Sequence, residues 1–362
     1  MAPVAGVAPR RGPAPLVLHL LQMAALTAGA ADGRERLAHA LAGIERYRRF
    51  PFRRPGTAAA VLARAGGSRL LDYGGDGPAV FIAPSLVNAA TILDLLPECS
   101  LIGHLQAAGL RPLLLDWGAP GDAEAGFGLA DYLRRLGDLA AAARRDAGAL
   151  TLVGYCMGGT LGLAAAAARP GLFARAAFLA APWDFHADAA QHRALAGQML
   201  PALPALAAAP TIPHGLLQGF FAGLAPAAAL KKFAAFSAMA GDSPEARRFV
   251  ALEDWVNEGP PLARAAGLEV LRDWYALNLP GRGQWRPEGV LVTPDAFDGP
   301  VFSAVPHSDR IVPPAGALGL ATGSPPGPLL RPSSGHVGMV VGARGREQLW
   351  RPLTAWLLEG KG

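Results

Sequence analysis

The chain has 362 residues, 51% of them hydrophobic and 17% charged, and a formal net charge of +5. This length is enough for one large domain or two small ones. Its only lysines are Lys231, Lys232 and Lys361, and we see no stripe of basic residues interleaved with aromatics, so the composition gives nucleic-acid binding little support. The two cysteines, Cys99 and Cys156, indicate neither a disulfide framework nor a zinc site and suit a reducing compartment.

The N-terminal stretch allows two interpretations. Arg10-Arg11, followed by an apolar run and a small-residue segment, resembles a signal peptide with a twin-arginine start. Against this, the apolar run contains His19 and Gln22 and continues at helical spacing through Leu37, Leu41, Ile44 and Tyr47. We therefore favour an ordinary amphipathic helix and predict an N-terminal helical segment over residues 1–66. No other segment reaches the roughly 20 clean apolar residues of a membrane span.

Short apolar runs alternate with helical patterns along the next part of the chain. Strands are predicted over residues 68–74, 79–84, 111–118, 149–155, 174–183, 299–306 and 328–332. Helical spacing is found over residues 92–108, 129–147 and 346–358, and a helix is also predicted directly after the strand that ends at residue 155. This alternation predicts a doubly wound, mostly parallel sheet, with its core in residues 67–183 and 299–362.

Residues 184–298 interrupt this alternation, because they contain no clear strand and are rich in Ala, Leu and Phe. We predict that they form a helical cap over the C-terminal edge of the sheet, which is where ligands bind in such folds. Extra scaffold helices are the alternative.

The stretch "TLVGYCMGGTLGL", residues 151–163, has the form of a nucleophile elbow with Cys156 in place of the usual serine. Gly154 and Gly158 flank the cysteine by two residues on each side, which a strained strand-to-helix turn requires. Free cysteine has a pKa of about 8.5, and a helix N-terminus beside a histidine lowers it. The alternative is a small buried cysteine filling a strand–helix corner.

Two loops that follow later strands supply candidate partners for this cysteine. Asp309 lies in "VPHSDRIVPP" and His336 in "RPSSGHVGMVVG", in the order acid and then histidine that this arrangement requires. His336 is predicted to take the thiol proton and Asp309 to orient the imidazole. His307 is the rival base, better suited to a supporting role, and Asp116 is the rival acid, better suited to capping a turn.

An oxyanion hole needs two backbone N–H donors. The first is expected from Met157, the residue after the nucleophile. The second is expected from the loop "SLVN" after the strand at residues 79–84. We assign it to Val87, although the sequence does not separate Val87 from Leu86 or Asn88.

These stretches together resemble the catalytic domain of polyhydroxyalkanoate synthases, closest in length to the short synthases that work with a second subunit. The resemblance covers residues 70–342 and is carried by "APSLVNAATILDLLPECSLIGHLQAAGLRPLLLDWGAPG", "GYCMGG", "DRIVPP" and "SGHVGMVVG". It implies an α/β-hydrolase fold with a cysteine lipase box. It also implies that Cys156 is the nucleophile, Asp309 the acid, His336 the base and Val87 an oxyanion donor.

The resemblance further implies an acyltransferase that moves 3-hydroxyacyl groups from coenzyme A thioesters into a polyester, without a cofactor or a metal. The implied partners are acyl-CoA, the polyester chain and either a second copy of the chain or a second synthase subunit. The implied location is the cytoplasm, at the surface of polyester granules. Two alternatives stay open: a hydrolase with the same triad, acting as depolymerase or acyl-CoA thioesterase, and a non-catalytic granule-associated protein.

A cysteine suits acyl transfer from a thioester, because one thioester then replaces another and the acyl-enzyme stays reactive toward a hydroxyl. We expect the cap to close over Cys156 and to line an apolar, water-poor route to it with Phe220, Phe221, Trp255 and Trp274. Asn88, Trp255, Trp274 and Phe220 are therefore predicted substrate contacts. The alternative is that these aromatic side chains form the core of the cap itself.

Overall fold

The fold is described from a computed structural model that covers residues 9–201, 204–205, 209–321 and 327–359, with the backbone alone for residues 318–321. Contacts divide the chain into two compact units. The sheet unit comprises Thr57–Ile212 and Pro260–Gly362, and the helical unit comprises Met1–Gly56 and Pro213–Gly259. The division differs from the predicted boundaries, since the predicted cap over residues 184–298 is shared between the two units.

The helices and strands of both units follow in chain order. The α-helices are α1 Leu16–Thr27, α2 Gly33–Arg49, α3 Leu101–Ala107, α4 Leu129–Ala147, α5 Met157–Ala168, α6 Ala190–Met199, α7 His214–Leu224, α8 Ala227–Ser237, α9 Pro244–Asn257, α10 Arg264–Glu269, α11 Pro314–Ala321, α12 Gly338–Val341 and α13 Arg351–Leu358. The strands are β1 Ala60–Ala65, β2 Ser68–Asp72, β3 Ala79–Ala83, β4 Arg111–Asp116, β5 Leu150–Tyr155, β6 Arg175–Leu179, β7 Thr211–Ile212, β8 Leu262–Ala263, β9 Val301–Ala304 and β10 Leu329–Leu330.

An eight-stranded sheet in the order β1-β2-β4-β3-β5-β6-β9-β10 forms the centre of the sheet unit. Strands β4 to β10 in this order pair in parallel, and β2 pairs antiparallel with both β1 and β4. Every residue of β3 and β9 is buried, as expected for strands of a parallel sheet that is covered on both faces. The predicted doubly wound, mostly parallel sheet is confirmed.

The first strand corrects the sequence-based boundary of the N-terminal helical segment. We predicted helix over residues 1–66, but Ala60–Ala65 is β1 and pairs with β2, with Ala65 opposite Ser68. Gly66 and Gly67 form the turn between them, and Gly66 has a positive φ of 55°. A two-residue Gly-Gly link between extended segments is typical of a β-hairpin, whereas the alanines around it favoured a helix.

Two predicted helices are interrupted in the structure. Residues 92–108 contain two short 3₁₀ turns, Ala90–Leu93 and Pro97–Cys99, before α3 begins. Pro97 explains the break, because a residue that precedes proline is driven out of the helical region, and Leu96 is extended. The C-terminal helix begins with a π-helical turn, Arg346–Trp350, and continues as α13.

The helical unit has its own apolar core, built mainly where α2 packs against α8. Its buried members include Met23, Ile44, Tyr47, Phe233 and Phe236. A side chain at Gly43 would lie 1.9 Å from the carbonyl oxygen of Phe233, so glycine is required for the two helices to approach this closely. Leu41, which the sequence placed on the apolar face, is exposed.

Arg10 connects the start of the described chain to this core. Its guanidinium forms an ion pair with Asp254 of α9, with Nε 2.5 Å from Oδ1, and Nη1 donates to the carbonyl oxygen of Phe50 at 2.7 Å. The hydroxyl of Tyr47 donates to the same Asp254 oxygen at 2.8 Å. A buried carboxylate is thus held by a guanidinium and a phenol, which satisfies its charge and its lone pairs. Within the described residues, no helix is both long and apolar enough to cross a membrane.

The remainder of the predicted cap belongs to the sheet unit. Residues 184–212 and 260–298 carry α6, α10 and a π-helical turn, Val270–Ala276. Strands β7 and β8 pair antiparallel, although no strand was predicted in this interval. Each strand has two residues, which is too short for hydrophobic alternation to be visible.

Candidate active site

Cys156 lies at the turn between β5 and α5, and its backbone is in the left-handed region with φ 54°. Such a conformation is uncommon for a residue other than glycine, and it is a known feature of functional sites. A side chain at Gly154 would meet the Cα of Gly159 at 2.4 Å, and one at Gly158 would meet the carbonyl oxygen of Ala83 at 2.1 Å. The glycines of the elbow are therefore required by close approach, and they place Cys156 at the N-terminus of α5.

Asp309 and His336 come together at the C-terminal edge of the sheet. Asp309 follows β9 and His336 follows β10, and His336 Nδ1 lies 2.7 Å from Asp309 Oδ2. The other carboxylate oxygen accepts the backbone N–H groups of Ile311 at 2.8 Å and Val312 at 2.9 Å. Because the carboxylate is held from two sides, it fixes the direction of the imidazole ring.

His336 also interacts electrostatically with Cys156, and both residues are buried together with Asp309. Since Asp309 engages Nδ1, the nitrogen left for Cys156 is Nε2. Burial lowers the pKa of His336, but the charges of Asp309 and Cys156 and the hydrogen bond to Asp309 raise it well above its ordinary value. The raised pKa makes His336 a good acceptor for the thiol proton, as a histidine that activates a cysteine nucleophile must be.

Tyr155 is a part of this site that the sequence analysis did not single out. Its hydroxyl donates to the backbone carbonyl oxygen of His336 at 3.4 Å, and the two rings lie 5.2 Å apart at an interplanar angle of 33°. Burial, and then the charges of Cys156 and Asp309, raise the pKa of Tyr155 well above its ordinary value, so the phenol stays neutral. The sequence signal that could have identified Tyr155 is its position as an aromatic residue directly before Cys156.

Met157 and Val87, the predicted oxyanion donors, are both buried on facing segments of the sheet unit. Met157 is the first residue of α5, and Val87 lies in the segment after β3. Gly158 packs directly against the carbonyl oxygens of Ala83 and Pro84 at the end of β3, which brings the two segments together. The Val87 N–H lies 3.3 Å from Ser85 Oγ, and Asn88 is half-buried. The choice of Val87 stays a prediction.

The rival residues have other partners. His307 is exposed, and its backbone N–H donates to the carbonyl oxygen of Pro332 at 2.8 Å. Asp116 accepts the N–H of Gly118 at 3.1 Å and forms an ion pair with Arg69 on β2. Asp116 therefore stabilises the turn after its own strand.

The predicted substrate contacts are divided between the two units. Trp274 belongs to the sheet unit, is fully buried and packs against the rings of Phe185 and Trp285, each at 5.3 Å between centroids. Phe220 of α7 and Trp255 of α9 are buried in the helical unit, where Phe220 makes an edge contact with Phe221 at 5.5 Å. The roles of Phe220, Trp255 and Trp274 along a route to Cys156 stay predictions.

A second feature that the sequence analysis missed is the way the segment after β6 is fixed to the π-helical turn. Asn278, at φ 50°, accepts the N–H of Phe185 at 2.9 Å and donates to Asp184 Oδ1 at 2.8 Å. His186 Nε2 lies 3.0 Å from the carbonyl oxygen of Tyr275. π-Helical turns are frequent at functional sites, and this one carries Tyr275, which is buried and lies within electrostatic range of Cys156.

Within the described ranges, no three or more His, Cys, Asp or Glu side chains are grouped so that they could hold a metal ion. The chemistry that these residues can perform is that of an activated thiol with a buried acid–base pair at the edge of a parallel sheet. This combination of fold and site defines an α/β hydrolase.

Comparison with known proteins agrees with that class. The chain matches the family model of the alpha/beta hydrolase fold over residues 90–343, and it belongs to that family. An esterase from Exiguobacterium antarcticum superposes with a TM-score of 0.53 at 16% identity, covering 83% of this chain and all of the esterase. This likeness concerns the fold alone.

The sequence is also similar to proteins named poly(3-hydroxyalkanoate) polymerase subunit PhaC, which confirms the resemblance seen in the motifs. The similarity to the subunit from Haloferax mediterranei is 25% identity and covers 77% of this chain and 58% of that protein. The similarity to the Synechocystis subunit is 28% identity and covers 77% of each chain. The matched region thus spans a little over half the length of the relative from Haloferax mediterranei.

Proposed function

We propose that this protein is an acyltransferase that moves 3-hydroxyacyl groups from coenzyme A thioesters to a hydroxyl acceptor and so extends a polyester. The observation that carries the proposal is a buried Cys156 that interacts with His336, whose ring is itself held by Asp309. The similarity to the polymerase subunits supports the substrate class, because those proteins are named for the polymer of 3-hydroxyalkanoates.

The proposed first half-reaction is transfer of the acyl group to the enzyme. His336 accepts the thiol proton through Nε2, and the sulfur of Cys156 attacks the thioester carbonyl. The oxyanion that forms is stabilised by backbone N–H groups, for which Met157 and Val87 are the proposed donors. The carbon–sulfur bond to coenzyme A then breaks, and the imidazolium returns the proton to the departing thiolate, which leaves as free coenzyme A.

In the second half-reaction the acceptor is the hydroxyl group of another 3-hydroxyacyl unit. His336 takes the hydroxyl proton as the oxygen attacks the Cys156 thioester. An ester bond forms, the bond between carbon and Cys156 breaks, and the proton passes to the cysteine sulfur. Asp309 stabilises the imidazolium in both half-reactions. No cofactor or metal ion takes part in this scheme. We also propose that the chain works together with a second synthase subunit or with a second copy of itself.

Hydrolysis is the competing outcome, since water can attack the same acyl-enzyme. Incubation of the purified protein with 3-hydroxybutyryl-CoA separates the possibilities. We expect coenzyme A to be released together with insoluble polyester, and free 3-hydroxybutyrate to be a minor product. Free acid as the main product would assign a thioesterase. Release of neither coenzyme A nor product, by a protein whose circular dichroism shows that it is folded, would favour a non-catalytic role.

A further inference from the structure

A small cavity lies beside the candidate active site, within the sheet unit. Its walls include Phe185 from the segment after β6, His192 of α6, Tyr275 of the π-helical turn, and Ile311 and Val312 of the loop that carries Asp309. The N–H groups of Ile311 and Val312 are the ones that hold the Asp309 carboxylate. The cavity therefore shares a wall with the acid of the site.

His192 presents an unused hydrogen-bond acceptor in this region. Only 6% of the residue is exposed, and Nδ1 is buried without a hydrogen-bond partner. Nε2 lies 3.1 Å from the carbonyl oxygen of Ile311, and because a carbonyl only accepts, Nε2 must carry the hydrogen. Nδ1 of the neutral ring is then an acceptor. Burial lowers the pKa of His192, which keeps the ring neutral.

The surroundings of His192 limit what could meet this acceptor. The ring lies parallel to that of Tyr275, with 6.3 Å between centroids and an interplanar angle of 2°. Asp184 also lines the cavity, but its Oδ1 already accepts from the N–H groups of His186 and Ala187. The remaining walls are mostly apolar side chains. The cavity admits a group about the size of one water molecule, so a single hydroxyl with one hydrogen to donate fits it.

We propose that His192 is a specificity-determining residue whose Nδ1 accepts a hydrogen bond from the hydroxyl of the 3-hydroxyacyl group. The proposal rests on the function proposed above and names the feature of the acyl group that the chain recognises. A buried acceptor without a partner has a desolvation cost that a substrate hydroxyl offsets and an unsubstituted acyl chain does not. The cavity next to the acid of the site gives the hydroxyl a place to lie.

The test compares acyl donors that differ only in the hydroxyl group. Coenzyme A release is measured from 3-hydroxybutyryl-CoA and from butyryl-CoA, and the ratio of the two kcat/KM values defines hydroxyl selectivity. His192→Phe keeps a flat ring but removes the acceptor, and we expect it to lower the selectivity about three- to tenfold, the size of one lost neutral hydrogen bond. His192→Asn keeps an oxygen near the position of Nδ1 and should retain most of the selectivity.

His104→Phe is the matched control. His104 also has a buried ring nitrogen without a partner, but it packs against Trp350 at 5.4 Å between centroids. This variant should leave the ratio unchanged. If His192→Phe lowers both kcat/KM values equally, or lowers neither, the proposal is wrong, and Nδ1 then meets a water molecule rather than the substrate.

A parallel series with p-nitrophenyl 3-hydroxybutyrate and p-nitrophenyl butyrate separates failure of this inference from failure of the proposed function. A His192-dependent selectivity with the esters, without polyester from the thioester, would support the role of His192 and contradict the polymerising function. Polyester synthesis with a selectivity that His192→Phe does not change would support the polymerising function and contradict the role of His192.

Discussion

Tyr155 and His336 face each other across the C-terminal edge of the sheet, with their rings 5.2 Å apart and the phenol hydroxyl 3.4 Å from the histidine carbonyl oxygen. Tyr155 directly precedes Cys156, the proposed nucleophile, so the elbow itself supports His336, the proposed base. The position of Cys156 and the position of His336 are thereby coupled through one side chain.

The two contacts of Tyr155 can be separated by mutation. Tyr155→Phe removes only a long hydrogen bond and should lower kcat less than about tenfold. Tyr155→Leu also removes the ring that packs on His336, and it should lower kcat further than Tyr155→Phe does, while KM changes little. Steady-state kinetics of coenzyme A release measure both variants. Equal losses in the two variants would show that the ring contact has no part in holding the base.

The three residues of the proposed triad should have unequal effects on turnover. We expect Cys156→Ala to abolish acylation, and His336→Ala to reduce coenzyme A release by about a thousandfold or more. Asp309→Asn keeps the shape of the side chain but no longer stabilises an imidazolium, and a loss of roughly a hundred- to ten-thousandfold is expected. Mass spectrometry of the acylated protein shows whether the acyl group is on Cys156. Wild-type turnover by Cys156→Ala would contradict the nucleophile assignment.

The raised pKa of His336 predicts how stability changes with pH. His336 binds its proton more tightly in the folded than in the unfolded protein, so its contribution is fully present below the unfolded pKa of about 6.5 and is lost as the pH rises through the folded pKa. In Asp309→Asn the main cause that raises this pKa is removed. The difference in unfolding free energy between wild type and variant should therefore be largest near pH 6 and decrease toward pH 9.

Urea titrations of both proteins across this pH range measure the difference. A difference that grew with pH would mean that His336 is neutral in the folded wild type. Wild-type unfolding in the presence and absence of a thiol alkylating reagent provides the control for effects of Cys156.

Gly158 should not tolerate even one methyl group. An alanine side chain would lie 2.1 Å from the carbonyl oxygen of Ala83 and 2.5 Å from that of Pro84, so α5 or the end of β3 must move. We expect Gly158→Ala to be destabilised by several kcal/mol, or to fold with activity reduced at least a hundredfold. Gly126→Ala is the matched control, because a side chain there meets nothing within 4 Å. Near-wild-type stability and activity of Gly158→Ala would contradict this geometry of the elbow.

The buried ion pair of the helical unit makes Asp254 important for stability. The side chains of Arg10 and Asp254 are 12% and 10% exposed, and Asp254→Asn would remove the carboxylate that forms the ion pair with the guanidinium. A destabilisation of about 3 kcal/mol is expected, since breaking one side of a buried pair is costly. Asp242→Asn, in an exposed pair with Arg247, should leave the urea midpoint unchanged. Equal midpoints for the two variants would contradict the importance of the buried pair.

Sequence reasoning located the parallel strands and the elbow because their signals are local. β3 is a continuous apolar run, and the elbow is defined by glycines two residues on either side of Cys156. The proximity of Asp309 and His336 was predictable because both follow strands of a predicted parallel sheet, whose C-terminal ends share one edge. In each of these cases the prediction depended on a short stretch of neighbouring residues and on the position of that stretch relative to a strand.

The division of the predicted cap could not be obtained in the same way. Phe233 packs against Tyr47, which is far away in the chain, and no local sequence pattern around either residue indicates this contact. In the sequence, Arg10 is part of the Arg10-Arg11 pair that resembles the start of a signal peptide. In the structure it forms an ion pair with Asp254. The unused acceptor of His192 likewise depends on which carbonyl its other nitrogen meets, and no spacing rule predicts that.

The helical unit is assembled from two segments that the chain produces at different times. During synthesis, α1 and α2 emerge first, but the residues that cover their apolar side chains, Phe233 and Phe236 among them, are added only after β1 to β7 have been made. The apolar side chains of α1 and α2 therefore stay incompletely covered while most of the sheet is being translated. Such an interval exposes apolar surface to aggregation, and slowing of translation ahead of residue 213 should lengthen it.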